Sequence, residues 1–187
     1  MNFSLKPHPL IAHWVPGMVV LMPLVFSHFH WGYEKFVNDL ADSTSAAALS
    51  ILLLSVAAFL IGEVLDSARD SFIEIGLDWF GRTWPRAEKE DYPILRYLRP
   101  IELNWSYFST LTPEKAQVFD DYYWTYYVLN MNLALALLLS MILNLLGCVT
   151  VPEGYSFWFW LVAILSFFIL LCDALVLRHE AGLRVMK

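Results

Sequence analysis

Four long apolar stretches constrain the fold of this chain more than any other feature of its sequence. They lie at roughly 9–31, 45–66, 124–148 and 155–177. Each is long enough for a helix of about 20 residues that crosses the ~30 Å hydrocarbon core of a bilayer. The composition agrees, because 58% of the residues are hydrophobic and only 16% are charged, whereas a soluble domain carries about 25% charged residues. We therefore predict an all-α polytopic membrane protein with four transmembrane helices.

The basic residues lie on one side of these predicted spans. Of the 12 Lys and Arg residues, only Lys35 falls in a loop that follows the first or the third span. Since basic loops stay cytoplasmic, both termini and the segment between spans two and three are predicted to be cytoplasmic. The sequons at Asn2 and Asn104 would then lie inside the cell and carry no sugar. This fits an integral protein of a bacterial inner membrane.

The predicted topology divides the chain into three parts. Residues 1–66 are expected to form a transmembrane hairpin, and residues 67–123 a helical cytoplasmic insert between spans two and three. Residues 124–187 are expected to form a second transmembrane hairpin with a cytoplasmic C-terminal tail. The insert is too small for an independent domain with a large core, so we expect it to pack on the adjoining helices or on neighbouring subunits.

Two of the predicted helices continue beyond the membrane boundary into this insert. The pattern stays helical from Gly62 to about Arg82, where Trp84-Pro85 is predicted to end the helix. A short helix at about 93–99 is predicted next. The sequence Thr112-Pro113-Glu114 is then typical of a helix start, with an N-cap, a proline at the first helical position and an acid in the first turn. The insert is therefore predicted to be continuous with spans two and three.

Small residues and prolines predict how the first two spans are built. Ala58 and Gly62 are four residues apart, a spacing of small residues that lets two helix backbones approach closely. Pro16 and Pro23 each remove a backbone donor from the first span. The first helix is therefore expected to be kinked or to begin irregularly.

Amide side chains that share one helix face fall within the third span. Asn130 and Asn144 are fourteen residues apart, so they share one face of a helix. Amides inside lipid usually form hydrogen bonds to a neighbouring helix. The alternative is that they line a pore or contact a substrate.

Acidic residues cluster where the second span ends, in the series Glu63, Asp66, Asp70 and Glu74, with Arg69 among them. At 100° per residue the four acids lie within an arc of about 80° on one helix face. One interpretation is a helix stalk whose acids pair with arginines, for which Arg69, Arg82 and Arg178 are the candidates. Others are a polar contact between helices or subunits, and a vestibule or site that attracts a metal or another cation.

A second polar group lies at the end of the fourth span, where Asp173 is followed by Arg178 and His179. Together with His13 of the first span, these residues could gather at the inner leaflet. Carboxylates and imidazoles of this kind serve metal sites and membrane hydrolases. The spacing matches no metal-binding motif, and Arg178 or Arg69 is the expected partner of Asp173. The sequence predicts no cofactor and leaves the question of a metal open.

We expect a non-enzymatic role for the chain as an oligomeric membrane subunit. Its cytoplasmic helical region would bind a protein partner or a small ligand and couple it to the bilayer, in a channel-like, membrane-perturbing or scaffold role. With four spans and one helical insert at 67–123, the chain resembles the small membrane subunits of bacterial anti-phage defence systems such as Kiwa. This resemblance implies an effector role in defence.

The alternative function is a membrane-embedded enzyme that acts on a lipid or a lipid-linked substrate. Its site would be an inner-leaflet cluster of acids and histidines, namely Glu63, Asp66, Asp70, Asp173, His13 and His179. Direct binding of nucleic acid is not expected, because the net charge is −6 and no basic face dominates. Lipid and further copies of the chain are the other expected partners.

Overall fold

A computed structural model describes residues 7–29, 44–83, 110–151 and 153–184. Within these ranges every regular element is helical, which confirms the all-α prediction for this part of the chain. The helices are α1 (Pro7–Phe29), α2 (Thr44–Ala68), α3 (Ile75–Thr83), α4 (Pro113–Val118), α5 (Thr125–Leu145) and α6 (Glu153–Arg184). The predicted helix end at Trp84-Pro85 and the predicted short helix at about 93–99 lie outside the described residues.

Two of these helices are extended through wide π-helical turns. The turn π1 (Arg69–Glu74) joins α2 to α3, and the turn π2 (Phe119–Trp124) joins α4 to α5. The helical backbone therefore runs without interruption over 44–83 and over 113–145, as the sequence predicted. Thr112 is the N-cap of α4, since its side chain accepts a hydrogen bond from the Lys115 N–H. The π turns were not predicted, and such turns frequently occur at functional sites.

Among the residues that the structure describes, three helical segments are long and apolar enough to cross a membrane: Ala48–Phe80, Pro113–Leu145 and Ser156–Ala181. In α1 the described apolar segment is shorter, at Ile11–Val25. The outer faces of α2 and α6 carry large apolar side chains that are exposed in the isolated chain. This surface is compatible with an integral membrane protein, whose apolar side chains face lipid.

The two glycines that face the α1–α2 interface bring these antiparallel helices into backbone contact. A Cβ atom at Gly17 would lie 1.7 Å from the Ala58 carbonyl oxygen, and one at Gly62 would lie 1.9 Å from the His13 carbonyl oxygen. Ala58 is itself fully buried. The predicted packing role of Ala58 and Gly62 is therefore confirmed, with α1 as their partner.

Helix α1 continues through both of its prolines and runs parallel to α5. Pro16 and Pro23 each lack the N–H that would bond to the carbonyl four residues earlier. For Pro16 that carbonyl belongs to Ala12, and it accepts a hydrogen bond of 3.4 Å from Asn132 Nδ2. For Pro23 it belongs to Val19 and accepts a 3.2 Å bond from Ser140 Oγ, so α5 supplies the donors that the prolines remove.

The hairpin between α5 and α6 turns at Gly147, whose φ of 75° is the left-handed conformation that favours glycine. The Gly147 N–H bonds to the Asn144 carbonyl and the Cys148 N–H to the Leu143 carbonyl, which is the Schellman pattern of a helix end. The same turn is fixed to α1, because the Thr150 N–H donates a 2.8 Å hydrogen bond to Ser27 Oγ. We call this the hairpin end of the bundle.

Candidate functional site

The candidate site is a network of charged side chains at the opposite end of the bundle from the hairpin turn. Its first half is centred on Arg69 in π1, which is only 2% exposed. Arg69 Nη1 lies 2.8 Å from Asp66 Oδ1, and Nη2 lies 2.6 Å from Asp70 Oδ1. The guanidinium also lies over the Trp124 ring, 5.6 Å from its centroid. Arg69 is therefore held between two carboxylates of its own helix and an aromatic ring of π2.

Asn132 connects this half of the network to α5 and α1. Its side chain is fully buried, and Nδ2 donates a 2.9 Å hydrogen bond to Asp66 Oδ1 as well as the bond to the Ala12 carbonyl. One amide group thus joins three helices. Asn132 was not among the residues predicted from the sequence. Pro16 gave an indication of it, because the carbonyl four residues before a proline needs a donor from elsewhere.

The second half of the network is centred on Arg178 in α6, which is 1% exposed. Its guanidinium donates to the carboxylates of Glu74 in π1 and Asp78 in α3. Tyr127 of α5 donates its hydroxyl hydrogen to the same Glu74 carboxylate, and its ring lies under the guanidinium with its centroid at 5.8 Å. Arg178 and Tyr127 therefore fasten α6 and α5 to the extension of α2. We call this group the Arg178 clamp.

The acids at the end of α2 do not act as one set. Asp66 and Asp70 pair with Arg69, whereas Glu74 lies in the clamp with Arg178. The 100° spacing assumed for them does not extend through π1, because a π turn has more residues than an α turn. The interpretation of these acids as arginine partners is confirmed for these three, and the side chain of Arg82 lies outside the described part.

Glu63 takes no part in either half of the network. Its side chain is 48% exposed, and Oε1 lies 3.9 Å from His13 Nδ1 on α1. His179 is buried beside Arg178 in α6. In the part of the chain that the structure describes, no three His, Cys, Asp or Glu side chains are grouped as metal ligands. The residues named for a lipid-directed enzyme are thus distributed over several separate contacts.

Asn130 and Asn144 have different roles. Asn130 Nδ2 donates a 2.5 Å hydrogen bond to Asp173 Oδ2, so it joins α5 to α6 as expected. Asn144 Nδ2 instead donates to the Val149 carbonyl, 2.8 Å away in the following turn. The expectation that Asp173 pairs with Arg178 or Arg69 is wrong, because both guanidinium groups are already held by acids of the α2 extension.

The electrostatics of the network explain why its arginines are stable in a buried position. A buried guanidinium without a counter-charge is strongly unfavourable, but here each arginine contacts two carboxylates and an aromatic face. The carboxylates in turn accept additional hydrogen bonds from Asn132 and Tyr127. Removal of one member would leave a buried charge uncompensated. The network is therefore suited to holding several helices in one arrangement.

In comparisons with known proteins, no family model, no curated protein and no solved structure matches the chain. The resemblance in plan to Kiwa-type membrane subunits stays a prediction.

Proposed function

We propose that the chain crosses a bacterial inner membrane four times, with both termini and the segment 67–123 in the cytoplasm. The distribution of basic residues supports this orientation. The length of α1 supports its assignment as a membrane span in addition to the three longer apolar segments, since its 23 residues correspond to about 35 Å of helix. It runs beside α5 from Ala12, which bonds to Asn132, and reaches the hairpin turn, where Ser27 bonds to Thr150.

The native cysteines test this topology. Cys148 lies exposed in the hairpin turn, and Cys172 lies exposed in the second half of the apolar segment of α6. A membrane-impermeant maleimide added to intact spheroplasts is expected to label the wild-type protein at Cys148. The Cys148→Ala variant, which retains Cys172, is the matched control and is expected to stay unlabelled, because Cys172 lies within the apolar segment of α6. Labelling of Cys148 only after permeabilisation would contradict the proposed orientation.

The function that the geometry supports best is non-enzymatic coupling between the cytoplasmic insert and the bilayer. The Arg178 clamp carries this proposal, because it fastens the extension of α2 to α5 and α6. Both long helices are continuous, so a displacement of the insert moves the apolar segments with it. A protein or small ligand that binds the insert would act through this connection, in a channel-like or membrane-perturbing oligomer.

The paired acids favour this role over catalysis. A general acid or base must reach its substrate, and the carboxylates of Asp66, Glu74 and Asp78 are instead bonded to buried arginines. In this arrangement the carboxylates have a structural role, because they fix the relative positions of helices. No contact among the described residues favours a lipid-directed enzyme over this role.

Potassium flux from liposomes tests the coupling role with the full-length protein. We expect the wild-type protein to release potassium, and Glu74→Gln to change the rate because it removes a charge from the clamp. Glu114→Gln is the matched control, since Glu114 is exposed in the first turn of α4, and should behave like the wild type. Vesicles that are as tight as protein-free vesicles in all three cases would contradict a role in the bilayer.

The same vesicles also test the enzyme alternative. Metal content and lipid composition are measured after incubation. If lipid products form with the wild-type protein but not with Asp66→Ala or Asp173→Ala, the protein is an enzyme and the coupling role is wrong.

A further inference from the structure

His13 of α1 carries a buried ring nitrogen whose hydrogen bonding is incomplete. Its Nδ1 atom is shielded from solvent and forms no hydrogen bond with the described residues. Glu63 Oε1 of α2 faces this nitrogen at 3.9 Å, which is too long for a hydrogen bond. A buried polar atom without a partner is unfavourable. The contact between His13 and Glu63 therefore needs a further hydrogen before it can stabilise the two helices.

The backbone around this contact is fixed, whereas the Glu63 side chain is free to move. Gly62, which precedes Glu63, packs so closely on α1 that a Cβ atom there would lie 1.9 Å from the His13 carbonyl oxygen. The His13 ring meets the Phe59 ring edge to face, with the centroids 6.0 Å apart. The Glu63 side chain is 48% exposed. Rotation about its own bonds can therefore shorten the distance to Nδ1 while both helices stay in place.

A proton on Nδ1 completes this contact. A neutral imidazole with its hydrogen on Nε2 presents a lone pair at Nδ1, and an ionised carboxylate has only acceptors. Two acceptors that face each other form no hydrogen bond. Protonation of Nδ1 makes the ring a cationic donor, and a hydrogen bond between ionised groups is about twice as strong as one between neutral groups.

The other titratable side chains on the helices around α1 have partners of their own. They are Asp66, Arg69, Asp70 and Glu74 on α2 and its extension, Tyr127 on α5, and Asp173 and Arg178 on α6. Asp66 is only three residues from Glu63, but its carboxylate already accepts from Asn132 and pairs with Arg69. Among the described residues, Glu63 is therefore the acid that a protonated His13 would meet.

We propose that His13 and Glu63 form a proton-binding site between α1 and α2. A proton taken up from water adds to Nδ1, and the imidazolium then donates a hydrogen bond to the Glu63 carboxylate. Because these residues lie at the close contact of the two helices, uptake of the proton fastens α1 to α2, and its loss weakens that attachment. The proton-binding site belongs to this helix pair, so it can be tested independently of the proposed orientation and of potassium flux.

A double-mutant cycle of thermal unfolding tests the proton-binding site with the full-length protein in detergent. The variants are His13→Leu, Glu63→Ala and the combination of both. They are compared with the wild type at about pH 5.5 and at about pH 8, on either side of the ordinary histidine titration at about pH 6.5. At the lower pH the combined variant should lose less apparent Tm than the sum of the single losses, because groups in contact are not additive. At the higher pH the losses should add.

Two outcomes of this cycle would overturn the proton-binding site. An equal departure from additivity at both pH values would mean that the neutral ring donates from Nδ1 without an added proton. Additive losses at both pH values would mean that the two side chains do not interact.

Glu63→Gln provides a second measurement with little change of shape. The amide can donate to a neutral Nδ1, but it carries no charge that attracts an imidazolium. On acidification from about pH 8 to about pH 5.5, the apparent Tm of the wild type should therefore rise relative to that of Glu63→Gln. Glu114→Gln, at an exposed acid of α4, is the matched control and should respond to pH as the wild type does. A Glu63→Gln protein with the wild-type response would contradict the proposed proton uptake.

Failure of the proton-binding site can be distinguished from failure of the proposed function. If Cys148 is labelled from outside and potassium flux is normal, a cycle without pH dependence removes only the proton-binding site. If the cycle depends on pH but Cys148 is not labelled from outside, the proton-binding site stands and the proposed orientation is lost.

Discussion

Arg178 contributes to the fold chiefly by neutralising two carboxylates from another part of the chain. Arg178→Met leaves Glu74 and Asp78 without their counter-charge, and removal of one partner from a buried ion pair costs about 3–5 kcal/mol. For a chain of this size we expect the apparent Tm in detergent to fall by about 2–4 °C per kcal/mol. Glu74→Gln should cost less, because Asp78 still pairs with the arginine.

A thermal unfolding assay followed by size-exclusion chromatography checks this order of stabilities. The double variant with Glu74→Gln and Arg178→Met should lose less than the sum of the two single variants, since groups in contact are not additive. Full additivity would show that the two side chains do not interact.

The pairing of these residues was only partly predictable from the sequence. Arg69 and Asp66 are three residues apart on one helix, so their contact follows from local geometry. Arg178 and Glu74 are separated by 104 positions, and only the packing of α6 against the α2 extension brings them together. Asp173 was assigned to the wrong partner for the same reason.

At the scale of elements, the contact between α1 and α2 depends on glycines. Gly62→Ala should destabilise the protein by about 1–3 kcal/mol, because the new methyl group would overlap the His13 carbonyl and force the helices apart. Gly76→Ala is the matched control: a Cβ there meets nothing within 4 Å, so alanine should stabilise α3 by up to about 1 kcal/mol. Apparent Tm values of the two variants check the difference, and a Gly62→Ala protein as stable as the wild type would contradict the backbone contact.

The prolines of α1 give a second prediction at this scale. Ser140→Ala removes the donor to the Val19 carbonyl and should cost about 0.6–2 kcal/mol. In a Pro23→Ala background the backbone N–H of residue 23 can bond to the Val19 carbonyl, so Ser140→Ala should cost little stability there. Thermal unfolding of the four variants gives this coupling as a double-mutant cycle. Ser50→Ala, on an exposed part of α2, is the control, and an equal cost of Ser140→Ala in both backgrounds would exclude the proposed exchange of donors.

The long helices were predictable because their signals are local, whereas the π turns were not. Thr112 and Pro113 define the start of α4, and the absence of breakers over the following residues predicts continuity to the end of α5. The turns π1 and π2 face each other through Arg69 and Trp124. A π turn that depends on a contact with another helix cannot be recognised from the periodicity of its own residues.

At the scale of the whole molecule, the described helices expose larger apolar faces than water-soluble monomers usually do. Only 11% of the most apolar window of Ser156–Ala181 and 17% of that of Ala48–Phe80 is buried inside the chain. We therefore expect the purified protein to require detergent and to sediment as aggregate in plain buffer, which analytical ultracentrifugation measures. A monodisperse species in buffer alone would mean that these helices do not face lipid.

The sequence by itself determined the helical class, the apolar segments and the continuity of the two long helices, because hydropathy and local helix signals are properties of neighbouring residues. Only the tertiary structure decided which acid pairs with which arginine, which side chains replace the donors missing at the prolines, and which polar residue is left on the outer face. These outcomes depend on the register between helices that are distant in sequence, such as α6 against the α2 extension and α1 against α5, and no local pattern specifies that register.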